Sequence, residues 1–293
     1  MNGHPEHVPH VVPALARLLA ATDDAEVLEA AVDALGHAWD ARAAAVLLDL
    51  VPVAHPDARV RLSLAQALPG GVGEHDAGGD EDGIRDRVVE ALVTLTADHE
   101  PAVRDWAAFG LGQLAADTLA VRDALAGMLA DDHVDARCEA LVALARTGDD
   151  RARAALLTRL DARGTLTTLE LEAAAVLADP ALHPALLLLA EDWAGDEDDF
   201  TALVATALAR CAPDAGDRAG AAERAALEEV RHRVPGLARL ELQGAYPRTR
   251  LVCAREDGDP PVSLGLWDDG EDPHADRGAD VVAAVLGTLP PPR

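Results

Sequence analysis

Apolar residues recur along this chain at helical spacing, and they recur in phase over long distances. The clearest stretch is Asp98–Leu114, DHEPAVRDWAAFGLGQL. It reads as a turn, a proline suited to helix entry, and a helix with Val103, Ala107, Leu111 and Leu114 on one face. Six segments share its register, V-R-x-x-A-A-x-x-L-G. From Val103, Arg104, Ala107, Ala108, Leu111 and Gly112, a step of 33 residues reaches Ala136, Arg137, Ala140, Leu141, Leu144 and Ala145. Another 33 reaches Leu169, Glu170, Ala173, Ala174, Leu177 and Ala178, and a step of 34 reaches Leu203, Val204, Ala207, Leu208 and Cys211. Upstream, Val60, Arg61, Leu64, Ala65 and Leu68 fit at a spacing of 43, and Val27, Leu28, Ala31, Val32, Leu35 and Gly36 at a further 33. The excess of ten falls in the glycine- and acid-rich stretch Gly70–Gly83.

A repeat of this length holds two helices, and neither can bury its apolar face without a neighbouring repeat. The expected pairs are 8–21 with 24–39, 41–53 with 57–69, 84–97 with 101–115, 119–130 with 133–147, 151–162 with 167–178, and 182–193 with 198–211. Asp98 and Asp131 are placed to cap the helices that follow them. Glu197, Asp198 and Asp199 suit a helix N-terminus through its dipole.

After Pro213 the pattern changes. Asp217–Arg233 reads as one more helix, and Leu237–Leu242, Thr249–Ala254 and Val262–Trp267 as strands. Ala275–Leu289 reads as a closing helix. The expected organisation is therefore an array over 1–213 and a helix plus a small α+β segment over 214–293 that covers the open end of the array.

DHEPAVRDWAAFGLG and DDHVDARCEALVALARTGD resemble the HEAT family, in particular the short bacterial HEAT-like repeats of the bilin-lyase-related type. The resemblance covers roughly residues 8–213. It implies an all-α fold, a HEAT-like α-solenoid of about six helix pairs, carrying the small C-terminal α+β segment. Glu170 and Val204 depart from the pattern, because the middle copies have arginine there. Such repeats serve many unrelated partners. The primary functional expectation is a non-enzymatic protein–protein interaction scaffold that binds a peptide or protein partner in the concave groove, which the second helices of such an array line. The alternative that the resemblance implies is an accessory enzyme or lyase chaperone acting on a protein-bound cofactor.

Composition narrows the partner. The net charge of −27 opposes nucleic acid, whose phosphates need a basic face, and equally an anionic membrane surface. A basic protein or peptide fits better, although the same charge also serves solubility alone. The chain has no lysine, so all 25 basic residues are arginine, as a GC-rich coding bias or adaptation to salt would produce. Cys138, Cys211 and Cys253 lack metal-ligand spacing and read as reduced thiols of a cytoplasmic protein. Residues 1–20 lack a basic region before an apolar run, so no signal peptide is expected.

No phosphate loop, nucleophile elbow or zinc spacing appears, so no catalytic residue, metal site or cofactor is expected. His4, His7 and His10 recur every third residue, but the prolines between them disfavour a shared ligand geometry. Asp76, Asp80 and Asp82 lack the ligand order of a calcium loop and read as a solvated insertion.

At 100° per residue, Asp105, Trp106 and Phe109 turn away from the core face of their helix. The Asp105 slot holds Leu62, Cys138 and Leu171 in other copies. The Trp106 slot holds Ser63, Glu139 and Glu172, and the Phe109 slot Gln66, Val142 and Ala175. The expected partner surface is thus an apolar stripe of Leu62, Trp106, Phe109, Val142 and Leu171, edged by Asp105, Glu139 and Glu172. Two readings stand open: a groove that takes a partner, or aromatic rings packed against an adjacent repeat. Arg61, Arg104 and Arg137, one per repeat at the edge of the core face, are expected to bind acids or carbonyls of neighbouring turns.

Overall fold

A computed structural model describes residues 7–72, 83–162, 165–192, 199–234, 236–255, 261–266 and 285. Helix packing divides the chain into two compact units, Met1–Ala152 and Arg153–Arg293.

Among the described residues the first unit holds four consecutive helix pairs: α1 (Val8–Ala21) with α2 (Ala25–Gly36), α3 (Ala41–Leu50) with α4 (Ala58–Ala67), α5 (Ile84–Leu95) with α6 (Pro101–Gln113), and α7 (Leu119–Met128) with α8 (Val134–Thr147). First helices pack on first helices, α1 on α3 on α5 on α7. Second helices pack on second helices, α2 on α4 on α6 on α8. The result is two layers with the apolar stripes between them.

The helix starts follow from local chemistry. Asp24, Asp40 and Asp57 each accept backbone N–H bonds from the first turn that follows them, as does Thr118 ahead of α7. Asp98 and Asp131 behave differently from the expectation. The N-cap residues are Glu100 and His133, and from the backbone the two aspartates accept the N–H of those residues, at 2.8 and 2.9 Å, not an N–H inside the helix. They brace the turn, which leaves each carboxylate free for a second task.

Burial follows the repeat register. The slot of Ala107 is 2% exposed at Ala31 and fully buried at Leu64, Ala107 and Ala140. The slot of Gly112 sets how closely the second helices approach. A Cβ on Gly36 would stand 2.7 Å from the Ala67 Cβ, and one on Gly112 would stand 3.1 Å from the Ala143 Cβ. Both contacts join a helix to the next one in its layer at the same repeat position.

The second unit begins within α9 (Asp150–Asp161) and goes on through α10 (Thr168–Leu177), α11 (His183–Asp192) and α12 (Asp199–Arg210), with the slot of Ala107 fully buried at Ala173 and Ala207. Helix α13 (Ala215–Arg233) follows, then β1 (Leu237–Gln243), β2 (Arg250–Arg255) and β3 (Val262–Gly265). The strands form one antiparallel sheet in the order β1-β2-β3, with Leu240 opposite Cys253 and Val252 opposite Ser263. Ala219, Ala226 and Val230 of α13 pack with Leu251, Cys253 and Leu266. The Tyr246 hydroxyl donates to the Arg210 carbonyl at 3.0 Å and so ties the β1–β2 turn to the end of α12.

The expected closing helix 275–289 lies outside the described residues except for Val285, which is helical and buried in that core. His4, Asp76, Asp80, Asp82, Glu197, Asp198 and Trp267 also lie outside them. Among the described residues no helix is long and apolar enough to cross a membrane.

Candidate functional site

Helix α6 presents the candidate surface. Its own core face is complete, with Val103, Ala107, Ala108, Gly110 and Leu111 all buried. Trp106 and Phe109, three residues apart on the other side, remain 38% and 41% exposed. Their rings meet edge to face, with centroids 5.4 Å apart and planes at 80°. That geometry places the positive edge of one ring on the negative face of the other, so the pair forms one apolar projection.

Asp105 stands next to them, half-buried. Its Oδ1 is shut off from solvent and has no hydrogen-bond partner. Burial holds the carboxyl above its usual range, and the charge of Asp135 at the start of α8 adds to the shift; His133 opposes it.

The remaining residues of the expected surface divide. Leu62 on α4 and Glu139 on α8 are half-buried, as is Glu172 on α10 in the second unit. Val142 and Leu171, expected to extend the apolar stripe, are only 5% and 1% exposed and offer no surface. The wheel treats α8 and α10 as one-faced helices, but Ala140–Ala145 and Ala173–Leu177 are apolar at every position and buried at every position. A helix that is apolar all round is buried all round, so an outward slot on it has no meaning. Within the first unit, the structure brings Trp106 and Phe109 together and sets Asp105 against the start of α8.

The repeat arginines are occupied elsewhere. Arg61 donates through Nε and Nη2 to the Asp98 carboxylate at 2.6 and 2.8 Å, and through Nη1 to the His55 carbonyl at 2.7 Å. Arg104 repeats the arrangement on Asp131 at 2.6 and 2.7 Å, with the Asp98 carbonyl at 2.9 Å. Arg137 reaches the Asp131 carbonyl at 2.6 Å. Each arginine thus holds the turn of its own repeat and, for the first two, the aspartate of the next. These side chains are largely buried, and the guanidinium groups hold both carboxyls below the usual range. At Glu170 the charge at this slot is reversed and the partner becomes local: the carboxylate takes Arg159 and closes a capping box with Thr167.

Cys138, Cys211 and Cys253 are buried thiols that take part in no disulfide among the described residues. Burial pushes the Cys211 thiol up to about 12, far from the reactive thiolate range. Among the described residues no three or more His, Cys, Asp or Glu side chains stand where they would hold a metal ion.

Paired helices, two layers and a turn-to-turn arginine joint define a helical repeat protein. The model of the HEAT repeat matches residues 88–117, which cover most of the third pair. Protein YibA from Escherichia coli K12 is 33% identical over 98 residues, a match covering 33% of this chain and 35% of YibA. YibA from Escherichia coli O157:H7 matches to the same extent. The chain therefore spans about a third of the length of the curated relatives it matches. The X-ray structure of Escherichia coli YibA shares the fold, with a TM-score of 0.50 and 22% identity over 70% of each chain. A crystal structure of an engineered protein covers 68% of this chain and 94% of its own, with 20% identity and a TM-score of 0.47.

Proposed function

We propose that this chain is a non-enzymatic scaffold that binds a protein segment on the outward face of α6. In this reading residues 1–213 form the repeat array and 214–293 its closing segment. Trp106 and Phe109 are the anchors, and a basic segment is the partner. The observation that carries the reading is the exposed edge-to-face pair on a helix whose core face is already filled. A pair of rings left in water and fixed against each other loses little conformational freedom when a partner covers it. The charge of −27 supplies the attraction for a basic segment, and that attraction weakens with salt. The buried thiols, none of them in a disulfide among the described residues, support a reducing, cytoplasmic setting.

Trp106→Ala tests this. Packing that holds the fold would cost roughly 3–5 kcal/mol when truncated. An anchor leaves the melting midpoint near that of the native chain while partner affinity falls by about 2 kcal/mol or more. Comparing what the native and Trp106→Ala chains retain at low and moderate salt identifies the partner. A large loss of stability, or the same proteins retained by both chains, rejects the surface.

A further inference from the structure

We propose that Trp39 is a second anchor, separate from α6, and that it receives an arginine side chain of a basic partner. Trp39 lies in the turn that carries the chain from α2 to α3 and is 61% exposed. Its backbone is left-handed, with φ 50°. The same repeat position, three residues beyond the slot of Gly112, is left-handed in two other repeats, at Ala115 (φ 47°) and Gly148 (φ 70°). The turn geometry therefore belongs to the repeat and does not depend on tryptophan. Glycine is the residue such a position favours, and a bulky side chain there carries strain.

Packing does not explain the choice. The indole edge runs over the short Pro69–Gly71 turn, where Cδ2 lies 3.9 Å from the place a Cβ on Gly70 would take, and most of the ring faces water. Local electrostatics point to a cation. The turn follows the C-terminus of α2, the negative end of the helix dipole. Helix α2 has no basic residue in its last turn and leaves Asp33 exposed there, whereas Glu29, farther up the helix, already stands 3.8 Å from Arg59. Arg42, the neighbouring basic residue in sequence, is held by Asp40 at 2.8 and 2.7 Å and does not supply the missing charge. An open indole face at the negative end of α2, whose last turn carries the exposed Asp33, suits a guanidinium, which stacks flat on a ring and offers forked donors to a carboxylate; a lysine ammonium does neither as well.

Hexa-arginine and hexa-lysine peptides carry equal charge, so the general field of an acidic protein attracts both. Titrated at low salt, the native chain is expected to prefer hexa-arginine about fivefold. Trp39→Gly abolishes the preference, while its melting midpoint holds or rises because the strain is released. Trp106→Ala keeps the preference, which separates this anchor from the α6 surface. The proposal is overturned if the native chain shows no preference, if the preference survives in Trp39→Gly, or if it is lost in Trp106→Ala. It is equally overturned if Trp39→Gly melts several degrees lower, since the indole is then packing.

Discussion

Arg104 and Asp131 form a two-bond pair across the boundary between consecutive repeats, at 2.6 and 2.7 Å, with the arginine 17% and the aspartate 8% exposed. The Arg104 guanidinium also holds the Asp98 carbonyl, so one side chain fixes two turns. Removing either partner strands a largely buried charge. Arg104→Ala is expected to cost about 2–3 kcal/mol in urea denaturation, and Arg104→Lys to recover little of it, since an ammonium cannot reproduce the fork. A double variant that also replaces Asp131 should cost less than the two single changes added together.

The same pairs predict the response to acid. Arg61 lowers Asp98, Arg104 lowers Asp131, and Arg151 holds Asp149 at about 2. Each carboxyl binds protons more weakly folded than unfolded, so its contribution is complete above the ordinary aspartate value near 3.8 and is lost as pH falls through the folded value. Urea midpoints should drop between about pH 4 and pH 2. Asp149→Asn should be less stable than the native chain at pH 7 and converge on it near pH 2.

Asp105 predicts the opposite sign. Its carboxyl is raised by burial and by Asp135, so ionisation opposes folding as pH rises through the ordinary value and then the folded one. Asp105→Asn should stabilise the chain at neutral pH by about 1 kcal/mol, because an unpartnered buried charge is removed. Below about pH 4 the two chains should melt together. A destabilised variant at pH 7 would show that Oδ1 has a partner in solution.

Gly36 tests the close approach of the second helices. In an open helix Gly→Ala gains up to about 1 kcal/mol. Here the added methyl meets the Ala67 Cβ at 2.7 Å, so Gly36→Ala is expected to lose about 1–3 kcal/mol by thermal melting. The matching change at Gly112, where the gap is 3.1 Å, should cost less.

Much of the repeat fold is legible in the sequence, because one period links Ala31, Leu64, Ala107, Ala140, Ala173 and Ala207, and all six are buried. The three strands were legible too, from short apolar runs bounded by turn residues. Trp106 and Phe109 were legible as outward rings, since α6 has polar residues enough to define a face. Val142 and Leu171 were not, because α8 and α10 lack that contrast. Asp98 and Asp131 look like caps in the sequence; the arginine each receives comes from the preceding repeat, a partner that capping preference does not encode. Trp39 carries no periodic signal, because its setting is a turn whose left-handed backbone recurs with three different residues.

The arginine–aspartate joint also bears on how such a chain changes length. Donor and acceptor occupy the same places in successive units, so duplicating or excising one whole unit brings a compatible arginine and aspartate together at the new seam. Growth by copying then requires no simultaneous compensating substitution. Arg61 reaches Asp98 although the sequence between them is ten residues longer than that between Arg104 and Asp131. Where Glu170 replaces the arginine and turns to Arg159, a copied unit would arrive without its half of the bond, so the middle of the first unit is where this chain is freest to lengthen.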